Sequence, residues 1–303
     1  MRGDRCCWLL PSLLLAVACK SGPHGTPPYR APVAQTATVD ETRAKKEAQL
    51  AEAKLAFDLD PSNEDKLIWF GRRLAYLDRF DEAQAVYTGG LESHPASWKI
   101  LRHRGHRWIT LRQFDRALED LTRAFELCKS APDEIEPDGR PNAAGIPIGS
   151  YDSNIVYHLA LAHYLRGEWS QACGVWERGK ALNSTNDDRL CSSTYWHQLA
   201  LRRAGREAPA GELLDVIARP MKILENESYY QLCLLFRGER TPDQLLQGVK
   251  PGSTEFATRG YGIACWWRLR GDERMARELL QQIVASGPRN AFGAIAAEVE
   301  LAR

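Results

Sequence analysis

Apolar residues along this chain recur at helical spacing, in pairs of runs parted by a short polar break. The pairs themselves repeat: RFDEA at 79–83 returns as QFDRA at 113–117, 34 residues later. Gly71 and Gly105, Phe80 and Phe114, Ala83 and Ala117, Pro61 and Pro95, and Leu91 and Phe125 keep the same offset. Each position has a physical role. The glycine permits close helix approach, the alanine sits where two helices cross, and the large residues fill the gaps between them. Pro61 and Pro95 end one helical hairpin and open the next.

Weaker copies appear in the same register. SNIVYHLALAHYLRGEWSQACGVWERG (153–179) places Ala160 at the glycine position, Gly167 in the turn, then Ala172 and Trp176. TYWHQLALRRAGREAPAGELLDVI (194–217) fits around Gly205 and Ala210, and ESYYQLCLLFRGERTPDQLL (227–246) reads as a degenerate hairpin turning at Gly238. RGYGIACWWRLRGDERMARELLQQIV (259–284) turns at Gly271 with Ala276 at the crossing. A hairpin cannot bury its apolar face alone, and stacking repeats joins those faces into one core.

The period and its glycine, aromatic and alanine positions resemble the tetratricopeptide (TPR) pattern. The expected fold is therefore all-α: a right-handed superhelical TPR solenoid of antiparallel helix pairs with a capping helix at each end. EAQLAEAKLAFDLDP supplies the first cap, within 40–59, and NAFGAIAAEVELAR the last. Units 1 and 2 occupy 60–127, units 3 and 4 occupy 153–218, the degenerate hairpin 219–250, and a final TPR-like unit with its cap 251–303. The segment 128–152, together with SYYQLCLLFRGERTP and the C-terminal helix, is also similar to a family of bacterial TPR proteins without an assigned activity. That resemblance spans roughly 60–303, implies the fold, and carries over no catalytic residue.

Residues 128–152 break the period. SAPDEIEPDGRPNAAGIPIGSYD is too rich in Pro, Gly, Asp and Glu to be helical over most of its length. The two Ile of IPIG predict an anchored loop that folds over the groove between repeats two and three; a plain spacer is the alternative.

The first residues read as an address. MRGDRCCW gives a positive end and LLPSLLLAVA an apolar run too short to span a bilayer. Ala16-Val17-Ala18 fits a secretory cleavage site, and Leu15 to Cys19 also resembles the lipobox of bacterial lipoproteins, with Ala16 where a Leu is usual. Both cut the same bond, so 1–18 is a signal peptide and Cys19 the mature N-terminus and lipidation candidate. KSGPHGTPPYRAPVAQTAT then forms a Pro/Gly-rich tether, assigned to 19–39. Five further cysteines (128, 173, 191, 233 and 265) show no paired spacing, so they read as small buried residues, and free thiols weigh towards a reducing compartment.

Charge excludes one class of partner. The chain is formally +1, and 38 basic and 38 acidic residues remain after residue 18, which argues against a nucleic-acid binder. No HExxH, Walker, nucleophile-elbow or dinucleotide-binding motif occurs, and no paired-cysteine metal spacing. His103 and His106 in LRHRGHRW are flanked by Arg102, Arg104 and Arg107, which would repel a metal ion. No catalytic residue, metal site or small-molecule cofactor is expected.

The TPR register instead points to a concave groove lined by first helices. Its candidate residues are Arg72 and Tyr76 from unit 1, Lys99, Arg102 and His106 from unit 2, Asn154, Tyr157 and Tyr164 from unit 3, and Tyr261 from the last unit. Between Lys99 and Arg112 lie five cations and no acid, which suits an acidic or carboxylate-bearing peptide. The paired Asn positions of the chaperone-binding carboxylate clamp are not matched, and several of these Tyr also suit packing between repeats. The expected function is a non-catalytic protein-protein interaction scaffold or adaptor of the bacterial cell envelope, membrane-bound only through lipid on Cys19, or periplasmic. A cytosolic scaffold without lipid is the alternative, with an enzyme site under the 128–152 insert a further one.

Overall fold

The computed structural model describes residues 36–217 and 220–303. The expected signal peptide, Cys19 and the expected tether up to residue 35 lie outside the described residues. Within them the chain is helical: α1 (Thr36–Leu59), α2 (Glu64–Tyr76), α3 (Phe80–Ser93), α4 (Trp98–Thr110), α5 (Phe114–Cys128), α6 (Tyr151–Arg166), α7 (Trp169–Arg178) and α8 (Lys180–Asn183). Then follow α9 (Asp187–Arg203), α10 (Glu207–Leu213) with a 3-10 turn (Leu214–Val216), α11 (Glu227–Phe236), α12 (Pro242–Leu246), α13 (Thr254–Leu269), α14 (Glu273–Ser286) and α15 (Phe292–Ala302). A lone antiparallel bridge between Ile135 and Ser150 is the β-type pairing recorded among the described residues.

Local chemistry sets the helix starts. Asn63, Ser97, Asn186, Ser253 and Asp272 each accept a hydrogen bond from the backbone N–H three residues on, which satisfies a donor the helix itself leaves open. Ser150 with Ser153 and Thr241 with Gln244 close reciprocal capping boxes at α6 and α12. Inside the hairpins the turn residue is left-handed at Gly167, Gly205, Gly238 and Gly271, and equally at Asp78 and Arg112 of the first two units.

The repeat positions do the packing expected of them. A Cβ on Gly71 would lie 2.4 Å from the Tyr87 ring, and one on Gly105 would lie 2.6 Å from Leu121 Cγ. Ala83, Ala117, Ala160, Ala172, Ala210 and Ala276 are fully buried at helix crossings. Consecutive helices pack in sequence, and the first helices also stand side by side: α2 with α4, α4 with α6, and α6 with α9. One large core runs from Ile109 to Ala297, while Leu50, Leu67, Ile68, Leu74, Tyr87 and neighbours form a separate core under the first unit.

Several boundaries differ from those expected. The N-terminal cap begins at Thr36, so residues 36–39, assigned to the tether, are helical. The second helix of unit 4 is short and ends in the 3-10 turn, and the degenerate hairpin keeps only the five residues of α12 as its second arm. No helix among the described residues is long and apolar enough to cross a membrane.

The C-terminal helix does more than cap. α15 packs on α13 and α14 and also reaches the early repeats. Arg112 donates to both carboxylate oxygens of Glu298 (2.6 and 2.8 Å) and to Arg289 O (2.8 Å), and Arg303 donates to Leu165 O (2.8 Å). Glu300, 3% exposed at its side chain, accepts from Arg203 (3.0 Å), Arg268 (2.5 Å) and Arg303 (3.0 Å).

Candidate functional site

The face shared by the first helices carries most of the candidate residues, and the 128–152 insert lies across it. Regular units are joined by four residues, as between α3 and α4, where His94–Ser97 suffices. Between α5 and α6 the chain instead leaves the stack, crosses this face and returns. Its first arm is held by charge: Lys99 Nζ pairs with Glu134 (2.7 Å), and Arg102 Nε pairs with Glu136 (2.8 Å). Asn154 Nδ2 donates to the same Glu136 oxygen side (2.8 Å), and Arg72 Nη1 donates to Pro137 O (2.8 Å). Tyr76 lies under Gly139, with the Arg140 guanidinium 5.2 Å from its ring centre.

The return arm is held by backbone acceptors. Ile148 O takes hydrogen bonds from Asn186 (3.0 Å) and from Arg189 Nε, which ties the insert to α9. The two arms join each other through Glu136 N to Gly149 O (3.1 Å) and Tyr151 N to Glu134 O (2.9 Å). At the tip, Asn142 reaches Glu225 (2.7 Å). The insert therefore spans α2 to α9 rather than repeats two and three alone. Of the two expected Ile anchors, Ile148 is half-buried and Ile146 is 48% exposed, and acids and carbonyls supply most of the hold.

The remaining candidates divide. His106 packs at a tilt against His158 (ring centres 4.2 Å) and Phe292 (5.4 Å), and Tyr157 also meets Phe292 (6.0 Å) while its hydroxyl pairs with Tyr229 (3.1 Å). Here the start of α15 covers the face. Tyr164 and Tyr261 lie elsewhere. They are 1% and 0% exposed, share a hydroxyl–hydroxyl bond of 2.7 Å and pack on Trp196, so they are core between units rather than groove lining.

Two cavities remain beneath the insert. The larger, about 280 Å³, is lined by Asp138, Asn154, Tyr157, Arg189, Glu225 and Phe292, among others. Burial pushes both Asp138 and Glu225 above the usual carboxylate range. The smaller, about 110 Å³, lies among α2, α3, α4 and Glu136.

The histidines near these cavities are committed to protein partners. Arg102 Nη1 lies 3.2 Å from His103 Nδ1 and 3.5 Å from His106 Nδ1. A guanidinium only donates, so both Nδ1 atoms accept and the ring protons sit on Nε2. Burial, then the neighbouring Arg charges, holds His103, His106 and His158 well below the usual histidine range. Neutral rings turned towards a cation are not poised to ligate a metal. The thiols are equally quiet: all five cysteines of the described residues are free and buried, and burial pushes Cys128 and Cys191 up to about 12.

Thirty-four-residue helix–turn–helix units, close-packed at Gly71 and Gly105 and capped by a helix at each end, define the class. The fold is an all-α solenoid of TPR-type helix–turn–helix units. No protein-family model and no curated protein matches the sequence. Among solved structures the chain is similar to YrrB, a TPR protein with an unusual peptide-binding site, at 14% identity and TM-score 0.42, over 81% of this chain and 97% of that one. A tetratricopeptide repeat protein from Parabacteroides merdae aligns at 13% identity and TM-score 0.49, over 87% and 94%. BtubC from P. vanneervenii aligns at 13% identity and TM-score 0.44, over 87% and 91%.

The repeat register places Arg72, Tyr76, Lys99, Arg102 and Tyr157 on first helices whose shared face the insert crosses, whereas it does not separate that face from the core position of Tyr164 and Tyr261. Glu134, Glu136 and Phe292 were missed. The signal available was the acidic run DEIE beside a basic first helix, and the short link expected in place of the insert.

Proposed function

We propose that the chain is a non-catalytic interaction scaffold or adaptor of the bacterial cell envelope that holds an extended acidic segment of a partner protein on the first-helix face. The observation that carries this reading is the insert itself. Glu134–Pro137 lies there as an extended acidic stretch, gripped by Lys99, Arg102, Asn154 and Arg72. Charge-assisted bonds to carboxylates and a backbone carbonyl are what a partner peptide of the same character would use. The insert occupies the place in cis, so a partner must displace its first arm.

The test is to replace residues 131–148 by a Gly-Ser link, keeping Ser150 as the α6 cap, and to add a labelled peptide copying 131–139. The peptide is expected to bind, and Arg102→Met or a peptide with both Glu changed to Gln should weaken it at least about tenfold. Equal binding of the Gln peptide would reject the acidic groove.

Envelope placement rests on the residue 1–19 pattern, with lipid on Cys19 as the membrane attachment. Intact mass of membrane-purified protein should then show a chain starting at lipidated Cys19. The five free buried cysteines favour the second reading, a cytosolic scaffold, for which an unmodified Met1 in the soluble fraction is expected.

A further inference from the structure

The smaller cavity holds more positive charge than the described residues around it balance. Three guanidinium groups, Arg72, Arg102 and Arg107, line its 110 Å³ against one carboxylate, Glu136. Glu136 is already used by Arg102 and Asn154 at 2.8 Å each. Arg72 is bonded to Pro137 O and Tyr76, and the charge of Asp138 reaches it from the neighbouring cavity. Arg107 has no hydrogen bond or ion pair through its side chain among the described residues; its guanidinium lies 5.7 Å from the Phe80 ring centre. Burial brings it down to about 10, which leaves it charged at neutral pH.

Neutral donors face the same space without partners. His103 Nε2, which carries the ring proton because Nδ1 accepts from Arg102, is buried and unbonded, with Glu136 Oε1 3.8 Å away. Tyr87, 1% exposed, lines the cavity, and its hydroxyl has no hydrogen bond among the described residues. A half-buried cation with no ion pair among the described residues, beside two donors unbonded there, is complementary to an anion. The volume suits a small oxyanion and leaves no room for a peptide backbone beside it, since one water occupies about 30 Å³.

We infer that this cavity is a binding site for a small inorganic oxyanion of phosphate or sulfate size, held by Arg107, Tyr87 and His103 beneath the insert. The inference is independent of the peptide reading, because the donors belong to α3 and α4 and the anion is a free solute.

Thermal unfolding of the full chain in chloride, with phosphate or sulfate added at constant ionic strength, tests it. A saturable rise in Tm with either oxyanion is expected, because a ligand of the native state alone stabilises it. Arg107→Met should abolish that rise while melting no lower than the parent in chloride, since the guanidinium has no ion pair among the described residues to lose. Tyr87→Phe, which keeps the ring against Gly71, should raise the phosphate Kd severalfold, as should Arg107→Lys should the methionine variant not fold. The site is overturned if neither oxyanion shifts the parent more than chloride does. An equal shift in parent, Arg107 variant and Tyr87→Phe overturns it as well.

Discussion

Asp78 and Arg112 hold backbone angles (φ 60° and 61°) that the later hairpins give to glycine. An L side chain in that region costs about 1 kcal/mol, so Asp78→Gly, at an exposed turn, should stabilise by about that amount in urea unfolding. Arg112→Gly should gain nothing, because it releases Glu298 and Arg289 O. At Gly71 helix propensity and packing oppose each other. Propensity alone would make Gly71→Ala stabilising by about 1 kcal/mol, but its Cβ would enter the Tyr87 ring at 2.4 Å. A loss of about 1–3 kcal/mol is expected, with a gain showing that the helices can part. The buried histidines set the acid response. Since the folded state holds His103, His106 and His158 neutral well below their unfolded value, their contribution is complete above about pH 6.5 and is lost as pH falls. Stability should drop by about 1.4 kcal/mol per pH unit for each such histidine below pH 6.5, and His106→Phe should flatten the slope.

At the scale of elements the insert is two anchored arms and an exposed tip. Residues 143–147 are exposed around the left-handed Gly145, whereas Glu136 is buried. Proteinase K on the native protein should cut first at 143–147, with both pieces staying together on gel filtration; equal cutting at 134–138 would contradict the anchoring. Glu136→Gln should cost about 3 kcal/mol by leaving Arg102 buried beside a neutral partner. The helices themselves were legible from sequence because each repeat states the same packing problem at Gly71, Ala83 and their equivalents. The insert was not. Its hold depends on Arg102 meeting Glu136 and on Ile148 O meeting Arg189, contacts that no period encodes, and the apolar Ile146 drew attention away from the acids. Tyr164 and Tyr261 show the same limit from the other side: register places a side chain inward, but only the stacked neighbours decide whether inward means groove or core.

Across the whole molecule, stability is divided and then rejoined. The first unit has its own core, Leu101, Ala124, Cys128 and Ile155 form a small one beside the insert, and the large core carries the later units. A solenoid in which each repeat met only its neighbours would unfold piecemeal. Here the C-terminal segment returns to α4, to the turn at Arg112 and to α6 through Phe292, Glu298 and Arg303. Glu300→Gln, which leaves Arg203, Arg268 and Arg303 facing a neutral group, should cost about 3–5 kcal/mol. Removing 291–303 should split a single calorimetric transition into two; one sharp transition in the truncated chain would show that the link is dispensable.

The bond from Arg112 to Glu298 also makes the array countable. Open repeat proteins can lengthen or shorten by whole units, because a copy added anywhere meets the same neighbours. In this chain an extra 34-residue unit between them would carry Glu298 and Phe292 away from the residues they meet. The number of repeats between Arg112 and Glu298 is thus set by this clasp, and inserting a whole unit there would break it.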